Sequence, residues 1–459
     1  MRILIIILTM FLVNAGAIAQ QSPSIAGTDS ATASLFQKGY WNQLAVTGKV
    51  ALKNDIDFFD LDYRIGVAYY RRKMYAQSEK YFRKAFSLYP TKDLAQYIYY
   101  GLLLRGLNSE AEVFNQKYQA ISEVPNHFKK GAESLFFNIG QRFSTDQSLS
   151  GNLLYSDFGR LSRPNPKISL YQSVYYLQQN NPNGNFKQLE YFISRESYTK
   201  NGWYLTPSLH YALTLYSNTI SESSPYADSA NWPVPPFSMI TVRTNGTQVD
   251  KYSIAGITHS MNLAFAINKR KGPFTFVLEP ALQIIYDKHQ VNSSYTTTGQ
   301  TDSFFNGYHI LSHPYYDSTG FTMDTSTISY TGQLGASVSY IWPIKGAPLF
   351  SRLSFYYLFD NNGNKATAWN FYSLITAGNK LWVHFSCSNK GALPWAFNQE
   401  GQYFNTYNTI KSRMSLTLQF KPLKRFSPML TYQLENDTRA SDNKAISYHS
   451  IYLTFKYNI

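Results

Sequence analysis

The C-terminal segment, residues 447–459, alternates between apolar and polar side chains. The apolar members occupy every second position: Ile451, Leu453, Phe455, Tyr457 and Ile459. The second face is assigned a mostly polar set: His449, Tyr452, Thr454, Lys456 and Asn458. Because a β-strand directs successive side chains to opposite faces, this pattern predicts an amphipathic strand with one aromatic-rich, apolar face.

The same alternation recurs upstream and predicts an antiparallel sheet over residues 131–459. It is clearest in residues 203–215, 274–287 and 409–420, where apolar and polar side chains take turns. Weaker copies begin near residues 135, 153, 168, 186, 257, 328, 353, 368, 381 and 426. Together these segments predict about fourteen strands, within a range of roughly 12 to 16.

The predicted connections between these segments have two lengths. Short ones are expected at residues 163–166, 200–202, 269–273, 345–348, 378–379 and 422–425, and long ones at 217–250, 289–327 and 390–408. Short and long connections are predicted to alternate strictly. Outer-membrane barrels have short periplasmic turns and longer outer loops, so this sorting favours a transmembrane β-barrel that begins and ends on the periplasmic side.

The N-terminus has the order of a secretory signal peptide. Arg2 precedes an apolar run from Ile3 to Val13, and Ala17 and Ala19 fit the small-residue cleavage rule. Residues 1–19 are therefore predicted to direct export and to be removed. No later run approaches the roughly 18–20 apolar residues that a membrane helix needs, so any later membrane contact is expected to be made by strands.

Residues 30–125 show helical spacing instead of alternation. One motif stands out in this region: Asp62, Ile65, Gly66, Tyr69, Ser78, Phe82, Ala85 and Pro90. It resembles the tetratricopeptide repeat, which has two antiparallel helices per repeat. Asp62 stands where that family usually has Trp, and Ser78 where it usually has Ala. Weaker copies on either side predict roughly two to three repeats in all.

The resemblance to tetratricopeptide repeats implies a concave surface that docks a partner. By register, the inner helices present four residues to this groove: Tyr63, Val67, Tyr70 and Tyr97. The same side chains are equally consistent with packing between helices. Both interpretations stay open at this point.

Composition narrows the class of protein. Aromatic residues make up 17% of the chain, charged residues only 15%, and the formal net charge is +14. Many aromatic and few charged residues suit a wall between lipid and water with aromatic belts at both interfaces. The single Cys387 excludes an internal disulfide and a Cys-based zinc site. The positive charge fits anionic surroundings, and no compact basic motif points to nucleic acid.

His384 and Ser386 are the sharpest candidates for catalysis. A His-x-Ser strand followed by Asn389 resembles the active strand of outer-membrane phospholipases and lipid A deacylases, where base and nucleophile face lipid. Here the alternation assigns Phe385 and Cys387 to the lipid face and directs His384 and Ser386 into the lumen. We therefore expect no enzyme, no catalytic residue and no cofactor.

Two further groups of polar residues are candidate sites. His309, His313 and Asp317 lie in one predicted long loop without further ligands, so no metal site is expected. Several charged residues are predicted to line the lumen: Arg195, Arg352, Lys411 and Arg413, mixed with Glu190, Glu196, Glu279 and Glu435. They would tune a passage for charged solutes or only supply the polar filling that any barrel interior needs.

The sequence thus predicts an α+β two-domain chain. It comprises a signal peptide (1–19), a periplasmic α-helical domain (30–125) and an antiparallel outer-membrane β-barrel (131–459). This architecture resembles the tetratricopeptide-plus-barrel outer-membrane proteins, including exopolysaccharide-export porins and the YaiO-like group.

The resemblance implies a porin or export channel that passes a polymer or another passenger to the cell surface. Its partners would be outer-membrane lipid and a periplasmic protein or polymer bound by the helical domain. Two alternatives stay open: an outer-membrane lipid hydrolase that uses His384 and Ser386, and an accessory barrel for surface lipoproteins or protein secretion.

Overall fold

The computed structural model divides the chain into two compact units, one built of helices and one of strands. The described residues run from 24 to 459, except 106, 126–127, 129, 146–150, 182–183, 200–201, 235–237, 272, 306–307, 343–348, 378–380, 391–409, 421–424 and 439–444. The predicted signal peptide and most of the predicted loop at 390–408 lie outside the described residues.

Six helices are described in the N-terminal unit: α1 (Ile25–Gln37), α2 (Trp41–Lys53), α3 (Phe59–Arg71), α4 (Tyr75–Leu88), α5 (Lys92–Leu103) and α6 (Asn108–Ser122). Two begin at hydroxyl caps, because Ser24 accepts a hydrogen bond from the Gly27 amide and Thr91 accepts one from the Leu94 amide. Each helix packs against the next one in sequence, and fully buried side chains such as Phe82 form the core between them. Among the described residues, no helix has both the length and the apolar character needed to cross a membrane.

Gly66 marks the closest approach of α3 and α4. A Cβ atom at this position would lie 2.5 Å from Cδ1 of Phe82, whose side chain is fully buried. The hydroxyl of Ser78 donates a hydrogen bond to the Gly66 carbonyl oxygen at 2.8 Å. The absence of a side chain at Gly66 therefore sets the spacing of this helix pair, and the polar Ser78 is tolerated because its hydroxyl is bonded.

Fourteen antiparallel strands close into a barrel. They are β1 (Gly131–Ser144), β2 (Leu153–Asn165), β3 (Ile168–Asn181), β4 (Gly184–Tyr198), β5 (Trp203–Val234), β6 (Ser238–Lys271), β7 (Phe274–Phe305), β8 (Tyr308–Trp342), β9 (Leu349–Asp360), β10 (Lys365–Ala377), β11 (Leu381–Lys390), β12 (Ile410–Phe420), β13 (Phe426–Thr438) and β14 (Ala445–Asn458). The C-terminal strand closes the barrel, because β14 pairs with β1 from Asn458 opposite Ser134 to Tyr448 opposite Ser144. The predicted α+β organisation and strand number are confirmed.

The alternation along each strand sorts the side chains of the barrel into two faces. Large apolar side chains such as Phe276, Phe355 and Leu416 are exposed on the outer face, while the intervening polar ones are buried inside. The assignment of His449 to the inner face was wrong. It has the same parity as Ile451 and lies outside, where its Nδ1 is 2.7 Å from the hydroxyl of Tyr432.

Strands β5 to β8 are 32, 34, 32 and 35 residues long, more than twice the length of most others. The prediction of loops at residues 217–250 and 289–327 was wrong, because most of these residues continue the strands. Their side chains are polar on both faces, so hydrophobic alternation does not reveal them. The prediction that short and long connections alternate strictly was also wrong. A long connection was expected between β3 and β4, but only residues 182 and 183 separate these strands.

Candidate functional site

The inner wall of the barrel concentrates the buried polar side chains. Inward side chains that are at most 8% exposed include Arg142, Gln179, Glu190, His210, Glu279, Gln283, Gln333 and Glu435. Side chains with so little contact to water pack against their neighbours on the wall and do not border a wide aqueous channel. Buried polar and charged groups require partners, and three side-chain networks supply them for part of this wall.

The first network holds Glu435 between two arginines. Arg413 Nε donates to Glu435 Oε1 at 2.6 Å, and Arg142 Nη1 donates to Glu435 Oε2 at 3.4 Å. Arg142 also donates to Gln179 Oε1 at 3.3 Å, and its guanidinium lies 4.4 Å from the ring centre of Tyr448. These residues stand on β12, β13, β14, β1 and β3, so the network spans the seam where β1 meets β14.

The second network joins Glu190 on β4 to His210 on β5. His210 Nε2 lies 2.7 Å from Glu190 Oε2, and both side chains are buried. Gln188 donates from Nε2 to the other carboxylate oxygen of Glu190. The hydroxyl of Thr214 in turn donates to Gln188 Oε1 at 3.1 Å. The two strands are thus joined by a chain of side-chain hydrogen bonds as well as by their backbone ladder.

The third network lies on the long strands β5 to β8. Asp287 accepts hydrogen bonds from the Tyr216 hydroxyl at 3.0 Å and from the Thr258 hydroxyl at 2.6 Å. His289 Nδ1 lies 2.8 Å from the Asp287 carboxylate, and His289 Nε2 lies 2.6 Å from Thr325 Oγ1. A carboxylate, an imidazole and a hydroxyl therefore stand in line, which is the order of groups that activates a hydroxyl nucleophile.

The predicted lumen residues are only partly where the sequence analysis put them. Glu279 and Arg413 are on the inner wall, and Arg352 lies there with its guanidinium 5.7 Å from the ring centre of Phe350. Lys411 is exposed and stands at the register shift between residues 410 and 412. Of the predicted cations on the inner wall, Arg413 is paired with the carboxylate of Glu435.

Arg195 was wrongly assigned to the lumen. Arg195 stands four residues from Tyr191 on β4, so both side chains lie on the same face, and Arg195 is exposed there. Its partner on β3 is Leu170. Glu190 and Phe192, by contrast, point inward. The segment around Arg195 is polar on both faces as β4 approaches its end. Alternation of polarity therefore does not indicate which face is which.

His384 and Ser386 point into the barrel and have separate partners. His384 Nδ1 lies 2.7 Å from the Tyr372 hydroxyl, and His384 Nε2 lies 3.0 Å from Gln419 Oε1. Ser386 Oγ lies 2.7 Å from Ser415 Oγ on the neighbouring strand. Both ring nitrogens of His384 are thus close to other strands' side chains, and neither contact is the base-to-nucleophile hydrogen bond of a hydrolase.

The predicted groove of the helical unit is an aromatic cluster. The ring centroids of Tyr97 and Phe82 are 4.8 Å apart, those of Tyr70 and Tyr97 are 5.0 Å apart, and Tyr63 lies 6.5 Å from Tyr97. The three tyrosines are half-buried against the helical core, so they pack and also present an edge to solvent. Val67 was wrongly assigned to the groove, because it is 2% exposed and belongs to the core.

Asp62 is a charged group in the same helical unit that has no exposed surface. Its Oδ2 lies 3.1 Å from Nζ of Lys84. Burial raises the pKa of Asp62 to about 6, and the ammonium of Lys84 offsets part of this shift. Asp62 is therefore a buried carboxyl whose protonation depends on pH.

No group of three or more His, Cys, Asp or Glu side chains suited to a metal ion occurs in the described part of the chain. The side chains of His309 and His313 lie outside what the structure describes, and both residues stand on β8, not in the predicted loop. The networks around His210 and His289 were missed by the sequence analysis. Their only signal is a polar pair two residues apart, as in Asp287 and His289.

These features define the chain as a closed antiparallel β-barrel that follows a unit of helices. No family model matches the sequence, and no curated protein matches it either.

Solved structures resemble the chain only weakly. The CymD monoaromatic hydrocarbon channel gives a TM-score of 0.41 at 8% identity, over 72% of this chain and 89% of the channel. The toluene transporter TodX of P. putida gives 0.37 at 8% identity, over 73% and 91%. The translocator domain of the autotransporter NalP from Neisseria meningitidis gives 0.33 at 12% identity, over 78% and 98%. Likenesses this weak carry no argument about function.

Proposed function

We propose that this protein is an outer-membrane β-barrel that serves in export to the cell surface. The observation that carries the proposal is the sorting of side chains into an exposed apolar outer face and a buried polar inner wall. Water disfavours so large an apolar surface, whereas lipid accommodates it. The ten shorter strands have 10 to 15 residues, enough for the roughly 9–11 tilted residues that cross a bilayer.

The strand count supports a proposed periplasmic position for the helical unit. An even number of strands returns both ends of the barrel to one side, and the long strands β5 to β8 extend at the other. Long extracellular extensions are typical of outer-membrane barrels. The proposal therefore assigns the helices to the periplasm and the ends of β5 to β8 to the cell surface.

The helical unit is proposed to be a tetratricopeptide-like docking module. The close packing at Gly66 and the half-buried Tyr63, Tyr70 and Tyr97 support this assignment. Aromatic side chains at a groove edge bury a large area on binding with little loss of side-chain entropy. The proposed partner is a periplasmic protein or polymer.

The proposed passenger is a polymer such as an exopolysaccharide, and the accessory role in surface-lipoprotein or protein secretion is the alternative. The filled inner wall bears on both, because a passenger has to displace side chains that bond to one another. A hydrophilic chain replaces those hydrogen bonds with its own, whereas an apolar one leaves them broken. This consideration favours a hydroxyl-rich polymer.

The topology is tested by cysteine labelling in intact cells with a maleimide that does not cross membranes. In a Cys387→Ser background, Asn362→Cys at the β9–β10 turn should be labelled from outside. Asn54→Cys after α2 should be labelled only once the outer membrane is permeabilised. A heat-dependent shift in gel mobility should accompany the first variant. Labelling of Asn54→Cys in sealed cells, or recovery of the protein in the soluble periplasm, contradicts the proposal.

The docking role is tested by Tyr63→Ala combined with Tyr70→Ala, with Tyr40→Ala, an exposed tyrosine outside the cluster, as the control. If both tyrosines are anchors, the double variant should weaken a periplasmic crosslink by about 2–4 kcal/mol. An unchanged crosslink in a folded double variant would exclude the groove as the docking surface.

Ester hydrolysis is a second candidate function, and one observation favours it. The line of Asp287, His289 and Thr325 has the distances of a hydroxyl nucleophile, its base and an orienting acid. It ranks second because the Thr325 hydroxyl also lies 3.5 Å from the His289 carbonyl oxygen, a purely structural contact. Hydrolysis of a short-chain ester that is lost in Thr325→Ala and kept in Ser326→Ala would establish this activity, and equal rates in both would remove it.

A further inference from the structure

A cleft of about 660 Å³ crosses strands β4 to β8, near the end of β4 that begins at Gly184. Its lining includes Asn185, Lys187, Leu215, Ser217, Ile257 and Lys288 on one face of these strands, and Tyr216 and His289 of the opposite face also border it. Lys187 pairs with Leu215 and Leu215 with Ile257, so these side chains share one face in a row across three strands.

This face is the outer one. Thr258 and Asp287, hydrogen-bonded at 2.6 Å, belong to the inner wall. Ile257 and Lys288 each stand one residue away from that pair and therefore point outward. The exposure of both side chains agrees with this assignment.

Two ammonium groups flank the cleft. Lys187 and Lys288 stand at its two sides, and neither forms a salt bridge within the described part of the chain. Three strand spacings separate them, about 14 Å between backbones, which is a distance that two extended lysine side chains bridge toward one ligand. The one carboxylate of the cleft, Asp324, accepts a hydrogen bond from Gln290 at 3.1 Å. The two lysines outnumber it, so the cleft favours an anion.

The cleft is continuous with the apolar outer face. Leu215 and Ile257 lie between the two lysines and are 45% and 43% exposed. One step nearer the barrel, Leu189 and Tyr286 are 49% and 39% exposed on the same face. Two cationic side chains next to exposed apolar side chains match the two parts of a membrane lipid, its charged headgroup and its acyl chains.

We propose that this cleft binds the phosphate-bearing headgroup of an outer-leaflet lipid. The phosphate lies between Lys187 and Lys288, and the acyl chains run along Leu215, Ile257 and the apolar side chains beneath them. Asn185 and Ser217 supply neutral donors to the headgroup. The occupant is a lipid and not a soluble phosphate, because the cations stand beside exposed apolar surface. The inference rests on the proposed membrane location.

The test uses the full chain reconstituted in nanodiscs of phosphatidylcholine with a minor fraction of lipid A or phosphatidylglycerol. Bound lipid is counted by native mass spectrometry. The double variant Lys187→Gln, Lys288→Gln should lose anionic lipid about tenfold, whereas Lys365→Gln, an exposed lysine at the start of β10, should retain it. Equal retention in all three proteins would overturn the proposal.

Further arms separate the possible causes of a positive result. Inorganic phosphate at millimolar concentration should not displace the lipid, and displacement would assign the site to free phosphate. Leu215→Ser with Ile257→Ser should lower lipid retention although both lysines remain, and unchanged retention would overturn the lipid assignment. A heat-dependent gel shift checks that each variant forms a barrel. A wild-type chain that does not enter the bilayer contradicts the proposed location itself, which distinguishes that failure from an empty cleft.

Discussion

Replacing Glu435 by Gln is expected to destabilise the barrel through the two arginines that it leaves behind. In the wild type, Arg413 and Arg142 contact opposite oxygens of this carboxylate at 2.6 and 3.4 Å. Gln keeps the shape of the side chain but removes its charge. Two guanidinium groups then lie side by side in a wall where water does not compensate them.

The magnitude follows from burial. The Glu435, Arg142 and Arg413 side chains are only 2%, 8% and 11% exposed, so solvent screens their interaction little. Removing one partner of such a buried pair costs about 3–5 kcal/mol, against about 0–1 kcal/mol for an exposed ion pair. We therefore expect the free energy of unfolding to fall by about 3–5 kcal/mol, or roughly a factor of 10² to 10³·⁵ in the equilibrium constant.

The assay is urea unfolding of the protein folded into lipid vesicles, followed by tryptophan fluorescence. Glu222→Gln on the exposed part of β5 is the matched control and should change stability by less than about 0.5 kcal/mol. Adding Arg413→Gln to Glu435→Gln should restore part of the loss, because one of the two uncompensated charges is removed. The reasoning is refuted if Glu435→Gln changes the free energy of unfolding no more than the control does. It is also refuted if the effects of the two substitutions in the double variant simply add, because the buried network would then not stabilise the closure of β1 on β14.

Two further predictions concern the helical unit, read in the intact chain from the helical circular dichroism signal. Gly66→Ala should lower the stability of the helices by about 1–3 kcal/mol, because its Cβ would lie 2.5 Å from the buried Phe82 ring. Gly101→Ala, whose Cβ would lie 3.9 Å from Tyr70, should instead be neutral or stabilising by up to about 1 kcal/mol, and the opposite order would refute the packing argument. Because the pKa of Asp62 is raised to about 6, the folded state favours its protonated form. This contribution to stability is complete below pH about 3.8 and is lost as the pH rises through about 6. Asp62→Asn should abolish that dependence and raise stability at pH 7 by at most about 3 kcal/mol, whereas parallel pH curves for the two proteins would contradict the assigned burial.

Local polarity patterns were enough to predict the barrel, since the decisive signal repeats along the chain. Residues 274–287 and 410–420 each fall on one strand, and the C-terminal segment forms the closing strand as predicted. The same rule failed where successive residues are mostly polar. Residues 217–234 and 289–305 have no apolar face to alternate with a polar one, so they were predicted as loops although they continue β5 and β7.

The inner-wall networks were less accessible to sequence reasoning, because their partners are far apart in the chain. Arg142 and Glu435 are 293 residues apart and meet only because β1 closes on β14. The alternation along the strand indicated correctly that Arg413 faces inward, but it does not indicate which carboxylate pairs with Arg413. Val67 illustrates the same limit in the helices, since a residue one turn from Tyr63 lies in the groove or in the core depending on how α5 packs.

The chemistry of the inner wall constrains the export proposal more than the strand count does. A network such as Arg413, Glu435 and Arg142 is stable when closed, and opening it exposes charges that a passenger or water has to solvate. A chain rich in hydroxyl groups donates to the carboxylate and accepts from the guanidinium groups, so it lowers the free energy of the open state. An apolar passenger offers neither contact and would have to enter with the charges uncompensated. Under the export proposal, this wall would therefore also discriminate between passengers. Weakening this network by Glu435→Gln should raise the ion conductance of the barrel in planar bilayers. It should also reduce the difference in permeability between polar and apolar solutes. An unchanged conductance in this variant would show that other residues seal the lumen.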